Sequence, residues 1–231
     1  MNRRTETLAR IGLFQALDAR AIDDLDTQCS WRRVTSGQWL IDYQDASNDV
    51  FFVASGSVYV TIHSAGREVL LRQINAGEFF GELAAIDGQP RSSGIVAATD
   101  VTIARMPASI FRTAIHAHQS VCDRLLEILA RQIRTLANRV NEFSTLDVRY
   151  RIYAELLRLS RAEPGQADRA IISPPPVHAE IAARVSTRRE TVSRELKALE
   201  RAGLIERRRG ALVLRDVPRL TRLIEQAIEQ S

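Results

Sequence analysis

The chain has 231 residues, 45% of them hydrophobic, and its 32 Lys/Arg against 28 Asp/Glu give a net charge of +4. No apolar run approaches the roughly 18 residues that suggest a membrane-spanning helix, and the N-terminal MNRRTETLARIGLF is too polar for a secretory signal. Only Cys29 and Cys122 are present, far apart, which excludes a disulfide framework and a cysteine metal cluster and points to a soluble cytoplasmic protein with no metal.

Helical spacing of Leu8, Ile11, Leu13, Phe14, Leu17, Ile22 and Leu25 opens the chain, and Asp18 suits the N-cap of a helix over 21–29. From Trp31 the period changes to two. Runs at 38–42, 50–54, 57–63, 68–74, 93–98 and 101–106 are rich in Val, Ile, Phe and Tyr. Turns at Ser36-Gly37, Ser47-Asn48-Asp49, Ser55-Gly56 and Ala65-Gly66 separate them, so a β-sandwich or barrel of the jelly-roll type is expected. Trp31, Trp39, Phe51 and Phe52 are expected in its core.

Within this β-rich half, residues 79–97 read FFGELAAIDGQPRSSGIVA. Gly81 permits a tight turn, and 82–86 is long enough for one helical turn whose first amides are free for an anion. Arg91 adds a planar cationic fork, with the hydroxyls of Ser92 and Ser93 beside it. An anion bearing a sugar hydroxyl would suit this set, its phosphate on Arg91 and its hydroxyl on Glu82. Val60, Leu71, Ile74 and the polar Arg72 are candidates to line the pocket beside it.

After Pro107 the period returns to 3.6. Leu126, Leu129, Ile133, Leu136, Val140 and Phe143 are spaced 3, 4, 3, 4 and 3 residues apart, an a/d stripe that predicts a two-chain coiled coil and hence a homodimer. Residues 144–147 break that helix, and Asp147 is placed to cap another over 148–161 with Ile152, Leu156, Leu157 and Leu159 on its face. A polar loop with Pro164-Gly165 is expected over 162–170, then a stiff spacer at Pro174–Pro176. Next come a short helix (HAEIAARV), a turn at Ser186 and a longer helix (RRETVSRELKALERA), which is helix-turn-helix grammar. The segment IERRRGALVL, with Gly210 at its tip, reads as a wing.

Charge agrees with this division. Residues 1–106 hold 10 Lys/Arg and 13 Asp/Glu, a net of −3, whereas 107–231 hold 22 and 15, a net of +7. Residues 184–209 alone hold 9 basic and 4 acidic residues. A polyanion partner for the C-terminal half follows, double-stranded DNA given the helix pattern. Candidate DNA-binding residues are His178, Thr187, Arg188, Arg189, Glu190, Ser193, Arg194 and Lys197. Arginine can grip guanine O6 and N7 together, and glutamate can accept from cytosine N4.

Two ordered motifs then carry a resemblance. FGELA, a short spacer, PRSS and an apolar strand resemble the phosphate-binding cassette of cyclic-nucleotide-binding domains, in particular those of the bacterial cyclic-AMP receptor protein (catabolite activator)/FNR family. RRETVSR resembles the recognition helix of the same family, with Ser186 departing from its usual turn glycine. The resemblance covers roughly 10–215. It implies an α+β chain with a cyclic-nucleotide-binding jelly-roll barrel (1–117), a long dimerisation helix (118–145) and a winged helix-turn-helix domain (146–231).

By the same resemblance Glu82 meets the ribose 2′-hydroxyl, Arg91 and Ser92 meet the cyclic phosphate, and Gly81 and Leu83 frame the turn. The long helix roofs the nucleotide, which brings in Thr135, Leu136 and Asn138. Leu136 and Ala137 stand where the family's cyclic-AMP sensors usually carry a threonine-serine pair, while Asn138 could serve either purine. Cyclic AMP is the first expectation for the ligand and cyclic GMP its rival. The implied function is a bacterial, cytoplasmic, ligand-gated regulator of transcription, not an enzyme, that reads a palindromic TGTGA-like site and works with RNA polymerase. A relative answering redox, gas or haem would need ligands that two cysteines and four histidines do not offer in paired spacing. An enzyme on a cupin-like barrel would need several histidines inside it, where only His63 falls.

Overall fold

The computed structural model describes residues 7–64 and 67–229. The chain divides, within its longest helix, into the units Met1–Gln132 and Ile133–Ser231.

The first unit opens with a 3-10 turn at Leu8–Arg10 and helix α1 (Ala19–Thr27). Asp18 caps α1 as expected, its carboxylate accepting the Ala21 N–H at 2.8 Å, although the helix lies two residues earlier than its apolar spacing suggests. Eight strands follow: β1 (Ser30–Val34), β2 (Trp39–Ile41), β3 (Val50–Ser55), β4 (Ser57–Ser64), β5 (Arg67–Asn75), β6 (Phe79–Phe80), β7 (Gly94–Ala97) and β8 (Val101–Met106). They form two antiparallel sheets of order β1-β8-β3-β6 and β2-β7-β4-β5. One core joins the inner faces of both sheets, with Phe51, Val53, Ile103, Val58, Ile74 and Ile95 among its members. A second core packs Phe52 and Phe79, from the other face of β3 and β6, against Phe14, Phe111 and the start of the long helix. Burial of β3 on both faces explains why VFFVA does not alternate.

Between β6 and β7 lies the short helix α2 (Glu82–Asp87), and after β8 come α3 (Ala108–Ala117) and α4 (Gln119–Thr145). His116 and His118 fall at the α3–α4 junction.

Trp39 corrects one expectation. It is not core but 46% exposed, because β2 turns it outward and its ring lies over Gly94, where a Cβ would meet Cζ3 at 2.7 Å. Trp31 is only partly buried. The expected turn at Ala65-Gly66 lies outside the described residues.

The second unit holds α5 (Val148–Leu159), β9 (Arg161–Glu163), β10 (Gln166–Ile172), α6 (His178–Arg184), α7 (Arg189–Arg201), β11 (Ile205–Arg208), β12 (Ala211–Leu214) and α8 (Val217–Glu229). Ile152, Leu156, Ile181, Val192, Leu196 and Leu214 centre its core. Two expectations are corrected. The stretch 162–170 is not a loop: β9 and β10 form a hairpin through Pro164-Gly165 on the sheet β11-β12-β10-β9. Its first residues are exposed and polar, and only Ala170 and Ile172 enter the core. Asp147 precedes α5 but makes no side-chain cap: its carbonyl accepts from Tyr150 and Arg151, and its carboxylate stays exposed near the Arg151 charge.

Candidate functional site

Gly81 occupies the left-handed region, φ 85°, immediately before α2. A Cβ there would meet Arg91 Nη1 at 2.7 Å and the Asp49 carbonyl at 2.8 Å, so this close approach requires glycine. Arg91 is 3% exposed and its guanidinium is held on three sides. Nε donates to Ser47 Oγ at 3.1 Å, Nη1 to the Gly81 carbonyl at 2.9 Å, and Nη2 to the Asp49 carbonyl at 2.7 Å. Backbone pairing of Arg91 with Gln44 and Asp45 fixes the segment further. Asp49 in turn pairs its carboxylate with Arg105 at 2.5 Å.

Burial lowers the pKa of Arg91, opposed by the charges of Asp49, Asp45 and Glu82. Glu82, on the first turn of α2, is 5% exposed. Desolvation raises its pKa, offset by its own backbone amide and then by Arg72 and Arg91. The cassette therefore holds a buried acceptor and a buried cationic fork about one glycine turn. Together they suit a ligand carrying a hydroxyl donor near an anion.

The remaining candidates are placed unevenly. Val60 is buried in the barrel core, Leu71 packs partly against it, and Arg72 is half-buried on β5 directly opposite Val60. Ser93 is half-buried, whereas Ser92 and Leu83 are exposed. Thr135, Leu136 and Asn138 lie exposed on α4 in the second unit. Ser47 and Asp49, which hold Arg91, were missed by sequence reasoning. No local signal marks them, since they stand 44 and 42 residues from their partner.

In the second unit α6 and α7 are joined by a tight turn in which Ser186 adopts φ 53° and Thr187 N–H bonds to the Ala182 carbonyl at 2.9 Å. The missing glycine is accommodated with left-handed strain of about 1–2 kcal/mol and no change of fold. Val192, Leu196 and Leu199 face the core, which leaves Arg188, Arg189, Glu190, Arg194 and Lys197 exposed, with Thr187 and Ser193 half-buried beside them. Arg189, Glu190, Ser193, Arg194 and Lys197 line one open groove.

His178 is not on that free face. Its Nδ1 lies 2.6 Å from Ser193 Oγ and its Nε2 3.4 Å from Arg207, so it ties α6 to α7 and the wing. Burial, then Arg207 and Arg189, lower its pKa and favour the neutral ring. Arg209, exposed at the tip of the β11–β12 hairpin, extends the basic surface.

An ion-pair network braces this unit. Glu155, 1% exposed, pairs with Arg158 and faces Arg184 Nη1 at 3.5 Å. Arg158 also bonds Glu142 of α4 at 2.6 Å, Arg184 bonds Glu180 at 2.9 Å, and Arg139 of α4 donates to the Arg184 carbonyl at 2.6 Å.

Residues 31–118 match the cyclic nucleotide-binding domain, and residues 150–223 match the Crp-like helix-turn-helix domain. The chain is 29% identical over 219 residues to a CRP-like cAMP-activated global transcriptional regulator of Mycobacterium tuberculosis, covering 94% of this chain and 98% of that protein. It is 30% identical over 181 residues to the cAMP-activated global transcriptional regulator CRP of Salmonella typhimurium, covering 78% and 86%. Among solved structures, a CooA mutant from Carboxydothermus hydrogenoformans superposes with a TM-score of 0.80 at 22% identity, covering 92% of this chain and 95% of that one, a likeness of fold.

Proposed function

We propose, because the chain belongs to the cyclic-AMP receptor protein/FNR family of bacterial transcription regulators, that a 3′,5′-cyclic purine nucleotide controls its binding to a palindromic TGTGA-like DNA site. The chain is a DNA-binding regulator of transcription and not an enzyme. The observation that carries the ligand reading is a carboxylate and a guanidinium, Glu82 and Arg91, both almost wholly buried about the Gly81 turn. A ribose hydroxyl donating to Glu82 and a cyclic phosphate on Arg91 satisfy both groups. The relatives named as cAMP-activated make cyclic AMP one candidate ligand, with cyclic GMP beside it.

The protein acts as a homodimer. Ile133 and Val140 of α4 are 67% and 66% exposed, and Leu126, Leu136 and Phe143 continue their stripe into solvent. Such a heptad seam is covered by a second copy of the same helix. Two recognition helices, one per copy, then read half-sites about 34 Å apart, one turn of DNA. Ligand binding shifts the population toward the arrangement that presents both helices, in proportion to its preference for that arrangement. The cytoplasm is where this regulator works, and RNA polymerase is its downstream partner.

Selection of binding sites from a pool of randomised duplexes tests the proposal. Recovered sites are expected to be inverted repeats spaced by one helical turn. Recovery of single half-sites or direct repeats would overturn the dimeric reading.

A further inference from the structure

Arg72 is a half-buried cation on β5, and its register shows which face it takes. Val58 pairs with Ile74, and both are buried in the core between the sheets. Two residues along, Val60 pairs with Arg72. Directly opposed residues share a face, and so do residues two apart on a strand. Arg72 therefore shares the face of Val60 and Ile74, not that of Tyr59 and Gln73. Among the described residues no hydrogen bond or ion pair engages its guanidinium, and its charge acts on Glu82 beside that of Arg91.

A half-buried guanidinium offers donors only, in a planar fork. Its best complement is a planar pair of acceptors. The two purines differ on this point: guanine presents O6 and N7, both acceptors, whereas adenine sets the N6 amino donor beside N7. Adenine would turn N–H toward N–H. The flanking side chains of Val60, Leu71 and Ile74 are apolar and suit the face of a flat ring.

We infer that Arg72 reads the base of the bound nucleotide and that the pocket prefers cyclic GMP to cyclic AMP. The inference rests on the reading that Glu82 and Arg91 hold ribose and phosphate, and it goes beyond that reading by naming the purine and the residue that selects it. Adenine in the named relatives does not oppose it, since the selection belongs to a side chain of this pocket.

Calorimetric titration of the full chain with cyclic GMP, cyclic AMP and cyclic di-GMP tests it. The unaltered protein is expected to bind cyclic GMP about 5- to 150-fold more tightly than cyclic AMP, the discrimination of one bidentate guanidinium–guanine contact. Arg72→Gln, whose amide matches adenine, is expected to bring that ratio to unity or invert it. Arg72→Lys keeps the charge but loses the fork, so it is expected to lower the ratio as well. It serves if the glutamine variant does not fold. Preference for cyclic AMP, tightest binding of cyclic di-GMP, or an equal loss for both mononucleotides in the Arg72 variants would overturn the inference and leave the cassette reading standing. Binding of none of the three would overturn both.

Discussion

Adding one methyl group to Gly81 tests the cassette geometry. At φ 85° an alanine carries left-handed strain of about 1–2 kcal/mol, and its Cβ would stand 2.7 Å from Arg91 Nη1 and 2.8 Å from the Asp49 carbonyl. Both are closer than real Cβ contacts, so the guanidinium must retreat. Retreat loosens its bonds to the Gly81 and Asp49 carbonyls, and losing one such charged hydrogen bond costs about 1.5–3 kcal/mol. The total is about 2.5–5 kcal/mol. Gly88 supplies the control. It closes the same helix at φ 71° with nothing within 4 Å of its Cβ position, so Gly88→Ala costs the strain alone, about 1–2 kcal/mol.

Both tryptophans, Trp31 and Trp39, belong to the first unit, so their fluorescence during urea unfolding reports that unit by itself. Gly81→Ala is expected to unfold at a midpoint about 1 M lower than Gly88→Ala, and to bind cyclic nucleotide at least about tenfold more weakly. Equal midpoints and equal affinities for the two variants would refute the wedged fork.

In the second unit, Glu155→Gln leaves Arg158 and the buried Arg184 without their shared counter-charge. A loss of about 3 kcal/mol is expected in the helical melt followed by circular dichroism, the low end for a broken buried pair because Glu142 and Glu180 still hold the two arginines. A loss under about 1 kcal/mol would show the network to be idle. Ile133→Asp with Val140→Asp puts charge on two exposed stripe positions, and sedimentation is expected to show a folded monomer. A persisting dimer would place the interface elsewhere. Arg189→Ala is expected to cost about 1–3 kcal/mol of DNA affinity and to relax one base position. Uniform weakening across all sequences would make Arg189 a phosphate contact.

The parts of the site legible in the sequence are those built from neighbours in the chain. Gly81 and Glu82 adjoin, Arg91 follows a short spacer, and the exposed polar residues of α7 recur along one helix, so spacing alone assembles them. What holds Arg91 was not legible, because Ser47 and Asp49 approach it across strands and no local pattern records that. Trp39 misled because a large aromatic in a strand usually faces the core, whereas bare backbone at Gly94 gives its ring a place outside. The β9–β10 hairpin was hidden by its exposed first half, and α8 was not anticipated, although it buries Leu220 and packs Leu223 and Ile224 on the same core. Glu155 shows the limit most clearly. Nothing in a helix rich in Arg and Leu distinguishes a solvated glutamate from one whose charge meets an arginine of α6.

Ligand gating requires coupling between nucleotide and DNA binding. Fluorescence anisotropy of a labelled palindromic duplex, titrated with the full chain at fixed salt with and without saturating cyclic nucleotide, measures it directly. Affinity for the duplex is expected to rise about 5- to 150-fold with the nucleotide bound. The same affinity in both titrations would contradict the account.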